Sequence, residues 1–167
     1  MVYCYFQYDS RPNQTAAKVI KHLFKHFLAS LPEILPEVEE FCNNHRRRLD
    51  SPPLPEIIAL FVACAVKIPS VYVIMDALDE CDETQRKDII DFIVALTGNR
   101  IKVLTTSRPH FPYLRNKFPD IPVQEVRTDD DDLRLYIHQT LFEQLLSDDF
   151  KNQIGEVIVK KAGNLCL

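Results

Sequence analysis

The sequence predicts an α/β domain with a mostly parallel sheet, followed by helices towards its C-terminal end. Short β-branched and aromatic runs alternate with segments whose apolar residues recur every three or four positions. Strands that alternate with helices in this way form parallel sheets. The chain of 167 residues is 46% hydrophobic and 26% charged, which is typical of a globular protein long enough to bury a core.

The first half of the chain predicts one strand and three helices. The β-branched and aromatic run Val2–Tyr8 predicts the strand, and the polar turn after it contains helix-capping residues. An apolar helix face then extends from Ala16 to Leu31 and ends at Pro32. A weaker helix is predicted over Glu37–Arg47, and a third over Glu56–Val66. Because the third is apolar almost all round, we expect it to be largely buried.

The second half predicts further strands and helices. The run Val71–Met75 predicts a strand, and the helix after it is capped by Asp82 or Thr84 and ends at Gly98 and Asn99. The remaining elements are expected to be two strands and then two helices: Ile101–Ser107, Ile121–Val126, Asp130–Leu146 and Phe150–Ala162.

Charge and cysteine usage exclude several classes of protein. A net charge of −4 gives no basic field that would attract nucleic acid, so no nucleic-acid partner is expected. The longest apolar run, Ile57–Val66, is too short to span a bilayer, and the first ten residues lack a signal-peptide pattern. Five irregularly spaced cysteines are typical of free thiols in a reducing cytosol. We therefore expect a cytoplasmic protein without membrane contact.

The five histidines show no catalytic triad and no metal-binding pattern. His22 and His26 are four residues apart on the first predicted helix, but the glutamate of the HExxH zinc motif is missing. Cys81 lies beside carboxylates, which raise the pKa of a thiol and argue against a role as nucleophile.

The segment VYVIMDALDECDE, residues 71–83, carries the strongest chemical signal. Its hydrophobic strand ends at Asp76, and ligands of open parallel sheets lie at the carboxyl ends of strands. A carboxylate at the end of a buried strand is held in a fixed position. Such a carboxylate suits Mg²⁺, which binds oxygen ligands together with substrate phosphates. Asp79 and Glu80 follow, where either could orient or deprotonate a water. Asp82 and Glu83 are better explained as the acidic first turn of the next helix.

VYVIMDALDE resembles the Walker B segment of the NACHT family of P-loop NTPases, in which a hydrophobic run precedes Asp, a small residue, a hydrophobic residue and Asp-Glu. IKVLTTSRP is similar to the sensor-1 strand of that family, and YCYFQYDS resembles its second core strand. DDLRLYIHQTL and VIVKKAGNLCL are similar to segments that follow the core in fungal, nephrocystin-like NACHT proteins. The resemblance implies an incomplete NTPase core over residues 1–127 and the start of a helical region over residues 128–167.

The resemblance also implies roles for individual residues. Asp76 would bind Mg²⁺ directly or through water, and Asp79 or Glu80 would polarise the attacking water. Arg108 would contact the γ-phosphate of ATP or GTP, the alternative being an ordinary surface arginine at a strand end. Weaker candidates at the same strand end are Thr106 and Ser107.

For the whole protein, the resemblance implies a nucleotide-controlled switch in signal transduction and innate immunity. In that family, effector and repeat domains flank the NTPase core, and the core can assemble with copies of itself. The partners expected for this chain are therefore such domains, a further copy and a segment that carries the phosphate-binding loop.

The phosphate-binding loop of P-loop NTPases, G-x-x-x-x-G-K-[ST], does not occur in this sequence, which has three glycines and none before Gly98. The resemblance implies a three-layer core that lacks its first strand and its Walker A loop. In the family, that strand lies beyond the sensor strand, so Val2–Tyr8, Val71–Asp76 and Ile101–Ser107 should be contiguous. Without the loop, we expect this chain alone to bind nucleotide weakly or not at all.

Three interpretations of the function are open at this point. The first is an incomplete regulatory NTPase core. The second is a non-catalytic remnant or protein-interaction module from a truncated gene. The third is an enzyme of another class, such as a phosphatase or nuclease, that uses the acidic turn as a metal site. A P-loop encoded upstream would favour the first, and hydrolysis abolished by EDTA would favour the third.

Overall fold

The structure is a computed structural model that describes residues 1–48, 51–108, 111–126, 130–142 and 147–162. The chain forms two compact units, Met1–Ser107 and Arg108–Leu167. Within the described ranges, no helix is both long enough and apolar enough to cross a bilayer.

The first unit contains a parallel sheet of three strands. They are β1 (Val2–Tyr5), β2 (Tyr72–Asp76) and β3 (Lys102–Thr105), in the order β1-β2-β3. Val2 is opposite Val73 and Val73 is opposite Val103, so these residues share one face of the sheet. The expected contiguous set of three strands is therefore confirmed.

The first strand is shorter than predicted. β1 ends at Tyr5, and one more backbone bond joins Phe6 N–H to Asp76 O at 3.0 Å. Asp76 is the last residue of β2, so residues beyond Phe6 have no partner strand. Tyr8–Asn13 instead form a 3-10 turn, which occupies part of the predicted strand and the turn after it.

Four helices complete the first unit, and each of them was predicted. The hydroxyl of Thr15 caps the first helix, and the carboxylate of Asp82 caps the fourth, which ends at Gly98 and is followed by Asn99 as its C-cap. The first helix packs against β1 and the fourth against β3. The helices are α1 (Ala16–Ala29), α2 (Pro36–Arg48), α3 (Leu54–Ala65) and α4 (Glu83–Gly98).

Aromatic rings join α1, α3 and α4 into one core. Phe61 of α3 is fully buried, and its ring centroid lies 5.2 Å from that of Phe24, 5.3 Å from that of Phe27 and 5.6 Å from that of Phe92. Aromatic pairs at such distances add to the free energy gained by apolar burial. Phe61 is thus the centre of the helical layer.

Only one side of α3 is buried, so the expectation of a largely buried helix is wrong. Ile57, Phe61 and Cys64 face the core, whereas Ala59 and Val66 are exposed. The outer side of α3 and the neighbouring side of α4 line an open groove of about 770 Å³. Some apolar side chains of α3 are therefore not covered by the other helices that the structure describes.

One face of the sheet also remains exposed. Tyr3, Ile74 and Leu104 are opposite one another in adjacent strands, and Tyr3 and Leu104 are 57% and 59% exposed. The buried side chains of β1 and β2 lie on the opposite face, where the helices pack. The first unit thus consists of a sheet with a helical layer on one face.

The second unit is helical in its described part. It contains α5 (Pro112–Lys117), α6 (Asp130–Phe142) and α7 (Asp148–Ala162), and Arg134 of α6 forms an ion pair with Glu156 of α7. The predicted end of α6, residues 143–146, lies outside the described residues.

The prediction of a strand over Ile121–Val126 is wrong. Residues 121–126 have no regular secondary structure, and Ile121, Val123 and Val126 are exposed. Pro122 cannot donate a backbone hydrogen bond, and a β-branched run forms a strand only where a neighbouring strand supplies partners.

Candidate functional site

Asp76, the last residue of β2, lies beside the end of β3. The hydroxyl of Thr106 donates a hydrogen bond to Asp76 Oδ1 and accepts one from the backbone N–H of Ala77 at 2.9 Å. The main chain continues the pairing, since Leu78 N–H donates to Thr106 O at 2.9 Å. The carboxyl ends of two parallel strands thus bring together a carboxylate and a hydroxyl, and sequence analysis had ranked Thr106 only as a weak candidate.

Ala77 turns the chain sharply after this strand end. Its backbone is left-handed, with φ 55° and ψ 46°, which is uncommon for a residue with a side chain. The turn directs Leu78 into the core, where 1% of it is exposed, and Leu78–Glu80 form one turn of 3-10 helix. Asp79 and Glu80 are half-buried in that turn.

Two arginines that the sequence analysis missed bind the main chain of the acidic turn. Arg11 Nε donates to Glu80 O at 2.7 Å, and the guanidinium of Arg86 donates to Asp79 O and to Cys81 O, both at 3.2 Å. Arg11 is 69 residues away from Glu80 in the chain, so no local pattern could reveal this contact. The two guanidinium groups fix the turn and bring positive charge close to its carboxylates.

Glu80 also joins the turn to the segment after β1. Its Oε2 accepts a hydrogen bond from the backbone N–H of Tyr8 at 2.8 Å. The guanidinium of Arg11 lies 4.1 Å from the centre of the Tyr8 ring, within the range of a cation–π contact. The carboxylate predicted to act on water therefore has a structural bond as well.

Asp82 starts the next helix, as the sequence predicted. Its Oδ1 accepts hydrogen bonds from the backbone N–H of Thr84 at 2.8 Å and from the Thr84 hydroxyl at 2.6 Å. These bonds hold the pKa of Asp82 below its ordinary value. Glu83 is the first residue of α4. This pair thus belongs to the helix start and is separate from the Asp76 group.

One family model covers all the residues of the strand end and the acidic turn described above. The family model described as nephrocystin 3, N-terminal, matches residues 1–108. The chain belongs to this family. The match coincides with the first unit and adds one residue, so it contains all three strands and the acidic turn. No curated protein and no solved structure matched the chain.

The other two residues predicted for the site lie at the end of the nephrocystin 3, N-terminal match. Ser107 is exposed and is the last residue of the first unit. Arg108 is also exposed and is the first residue of the second unit. Their predicted contacts with phosphate stay predictions.

Cys81 is buried under the acidic turn. Burial raises the pKa of its thiol from the ordinary 9.0 to about 11, and Asp82 contributes a smaller increase. Burial likewise raises the pKa of Cys4, on the neighbouring strand β1, to about 12, with smaller contributions from Cys81 and Asp76. A buried neutral thiol is a poor nucleophile, in agreement with the sequence analysis. The direction was predicted from the carboxylates, but burial is the larger cause.

The oxygen atoms of this strand end suit a hard cation. Asp76 offers a carboxylate and Thr106 a hydroxyl, and Mg²⁺ binds such oxygens through one or two carboxylates together with phosphates and waters. In the part of the chain that the structure describes, no three His, Cys, Asp or Glu side chains converge on one point. A cation held here would therefore share its coordination sphere with a ligand or with water.

Proposed function

We propose that the first unit is the Walker B and sensor part of a NACHT-type nucleotide-binding module in a cytoplasmic regulatory protein. The observation that carries the proposal is the bond between Thr106 and Asp76, which joins the carboxyl ends of β2 and β3 at the start of the acidic turn. Open parallel sheets bind their ligands at such ends. Membership of the nephrocystin 3, N-terminal family supports a regulatory module.

The individual roles proposed here are those that the resemblance implies, and the position of Asp76 at this strand end supports them. Asp76 would hold Mg²⁺, with the Thr106 hydroxyl fixing the orientation of its carboxylate. Mg²⁺ bound with ATP or GTP supplies positive charge that neutralises the phosphates. Asp79 or Glu80 would orient a water in front of the γ-phosphate. At the end of β3, Ser107 and Arg108 would contact that phosphate.

The module needs a phosphate-binding loop from a segment that this sequence does not contain. β3 is one of the two outer strands of the described sheet, and an outer strand presents backbone groups that can pair with a further strand. The row of Tyr3, Ile74 and Leu104 leaves one sheet face exposed, whereas parallel sheets are normally covered on both faces. An added strand could pair with β3, and an added helix, joined to that strand by a P-loop, could cover the exposed face of the sheet.

Nucleotide binding tests this proposal in two proteins. Calorimetric titration of the chain itself with Mg-ATP and Mg-GTP should give little or no binding. A fusion that places a P-loop strand, loop and helix ahead of Val2 should bind nucleotide in a Mg²⁺-dependent manner. Asp76→Asn in the fusion should abolish that binding, whereas Asp88→Asn, on the exposed side of α4, should leave it unchanged.

Two results would contradict the proposal. A folded fusion that binds neither nucleotide would argue against an NTPase module. Micromolar binding by the chain alone, lost in Asp76→Ala, would show that no added P-loop is needed.

A non-catalytic interaction module is the second candidate. The bond of Glu80 to Tyr8 N–H favours it, because a carboxylate used to hold two segments together need not act on water. In that case the fusion protein should hydrolyse no nucleotide, and Glu80→Gln, which can still accept this bond, should leave its stability unchanged. If Glu80 orients the attacking water, the same change should lower kcat by ~10²–10⁴-fold with little effect on nucleotide affinity.

A further inference from the structure

The exposed side of α1 carries two histidine rings side by side. The ring centroids of His22 and His26 lie 4.7 Å apart, and their planes are inclined by 38°. Both side chains are exposed, while the opposite side of α1 is buried in the core. The ring of Tyr3 contacts His26 edge-on with a centroid distance of 5.8 Å. A packed helix thus presents two neighbouring imidazoles to solvent.

The ring separation matches the geometry of a shared metal ion. A metal about 2.05 Å from a ring nitrogen is roughly 3.2 Å from the centroid of that ring. Two imidazoles at adjacent positions of a tetrahedral or tetragonal ion, ~90–110° apart, therefore have centroids about 4.5–5.2 Å apart. The observed 4.7 Å falls in this interval. The tilt between the rings is compatible with chelation, because each ring can rotate about its metal–nitrogen bond.

We propose that His22 and His26 chelate a late first-row divalent metal ion on the surface of α1, with water in the remaining positions. Imidazole nitrogens suit Cu²⁺, Ni²⁺ and Zn²⁺, and Cu²⁺ binds most tightly of the three. The site uses none of the residues of the acidic turn and takes a softer ion than Mg²⁺. It differs from an HExxH zinc site because no glutamate takes part in the pair.

Neighbouring lysines lower the affinity of this site for a metal ion. Lys18, Lys21 and Lys25 are exposed on the same side of α1, and none of them forms an ion pair within the described part of the chain. Each ammonium repels the bound ion and should weaken its affinity by about twofold at physiological salt. Affinity should therefore increase when salt screens the charges or when Lys25 is replaced by Gln.

Copper titration of the whole chain tests the site. The chain has six tyrosines and no tryptophan, and Tyr3 contacts His26, so Cu²⁺ bound at the site should quench part of the tyrosine fluorescence. One equivalent should bind saturably, with two equatorial nitrogens in the electron paramagnetic resonance spectrum. His22→Gln or His26→Gln should weaken binding by ~100-fold, because the second tethered ligand is lost. His138→Gln, an exposed histidine of α6, is the matched control and should change nothing.

A rescue variant separates chelation from a general effect on folding. Adding Lys25→His to His26→Gln places the second imidazole three residues from His22, which is still on the same helix face, and should restore tight binding. Absence of a saturable first equivalent would overturn the proposal. So would single variants within twofold of the original affinity, or an equal loss in His138→Gln.

Discussion

Ala77→Gly should stabilise the protein, although glycine usually destabilises a regular element. Ala77 has φ 55° and ψ 46°, and the left-handed conformation costs a residue with a Cβ ~1–2 kcal/mol that glycine avoids. Glycine in turn loses more backbone freedom on folding, at a cost of roughly 0.5–1 kcal/mol. The difference favours the variant by about 0.5–1 kcal/mol, which corresponds to about 1–4 °C in Tm for a chain of this size.

The matched control is the same substitution at a right-handed position. Ala59 is exposed within α3, and Ala59→Gly should destabilise the protein by about 0.8–1.0 kcal/mol. Urea unfolding followed by far-ultraviolet circular dichroism measures both changes. Opposite signs are expected. A loss of stability in Ala77→Gly similar to that in Ala59→Gly would refute the assignment of a strained turn at the end of β2.

Three further changes test the core and the acidic turn. Phe61→Ala should lower the free energy of unfolding by ~3–5 kcal/mol in urea titrations, because it leaves a cavity among three rings; a loss below about 1 kcal/mol would contradict the packing. Arg86→Met should cost ~1–3 kcal/mol and speed amide exchange around Asp79, because the carbonyls of Asp79 and Cys81 each lose the bond from Arg86; unchanged exchange would argue against this contact. Cys81 should resist alkylation at pH 8 in the folded protein while exposed Cys42 reacts, as mass spectrometry of labelled peptides can show. The raised pKa of Cys81 means that stability falls as pH rises from about 9 to about 11, because only the unfolded thiol ionises in that range, and Cys81→Ala should reduce this fall.

Sequence patterns predicted the four helices of the first unit because helix formation depends on local information, whereas the strand order was implied by the family resemblance. The apolar face of α1 and the Asp82 cap of α4 are readable from residues within one or two helical turns. The same logic failed at Ile121–Val126, where a β-branched run has no adjacent strand in the described structure. Strand formation depends on a neighbour that can be distant in sequence, and local propensity does not include that neighbour.

The sequence predicted which carboxylates form the candidate site, but it did not predict the contacts that these residues make. Asp76 was placed at a strand end from the hydrophobic run before it, and β2 does end there. The bond from Thr106 to Asp76 and the contacts of Arg11 and Arg86 with the turn arise only when separate segments meet. His22 and His26 show the same limit, since their spacing is visible in the sequence but the distance between their rings is not.

The sequence by itself determined that this is an α/β chain whose strand Val71–Met75 leads into carboxylates, and it determined that the phosphate-binding loop is absent. These are properties of composition and of short-range order. Only the tertiary structure decided that Glu80 bonds to Tyr8, that Ala77 is left-handed, and that one sheet face and one side of α3 stay exposed. The physical reason is that burial and hydrogen bonding depend on which segments pack together, and residues far apart in the chain determine that packing.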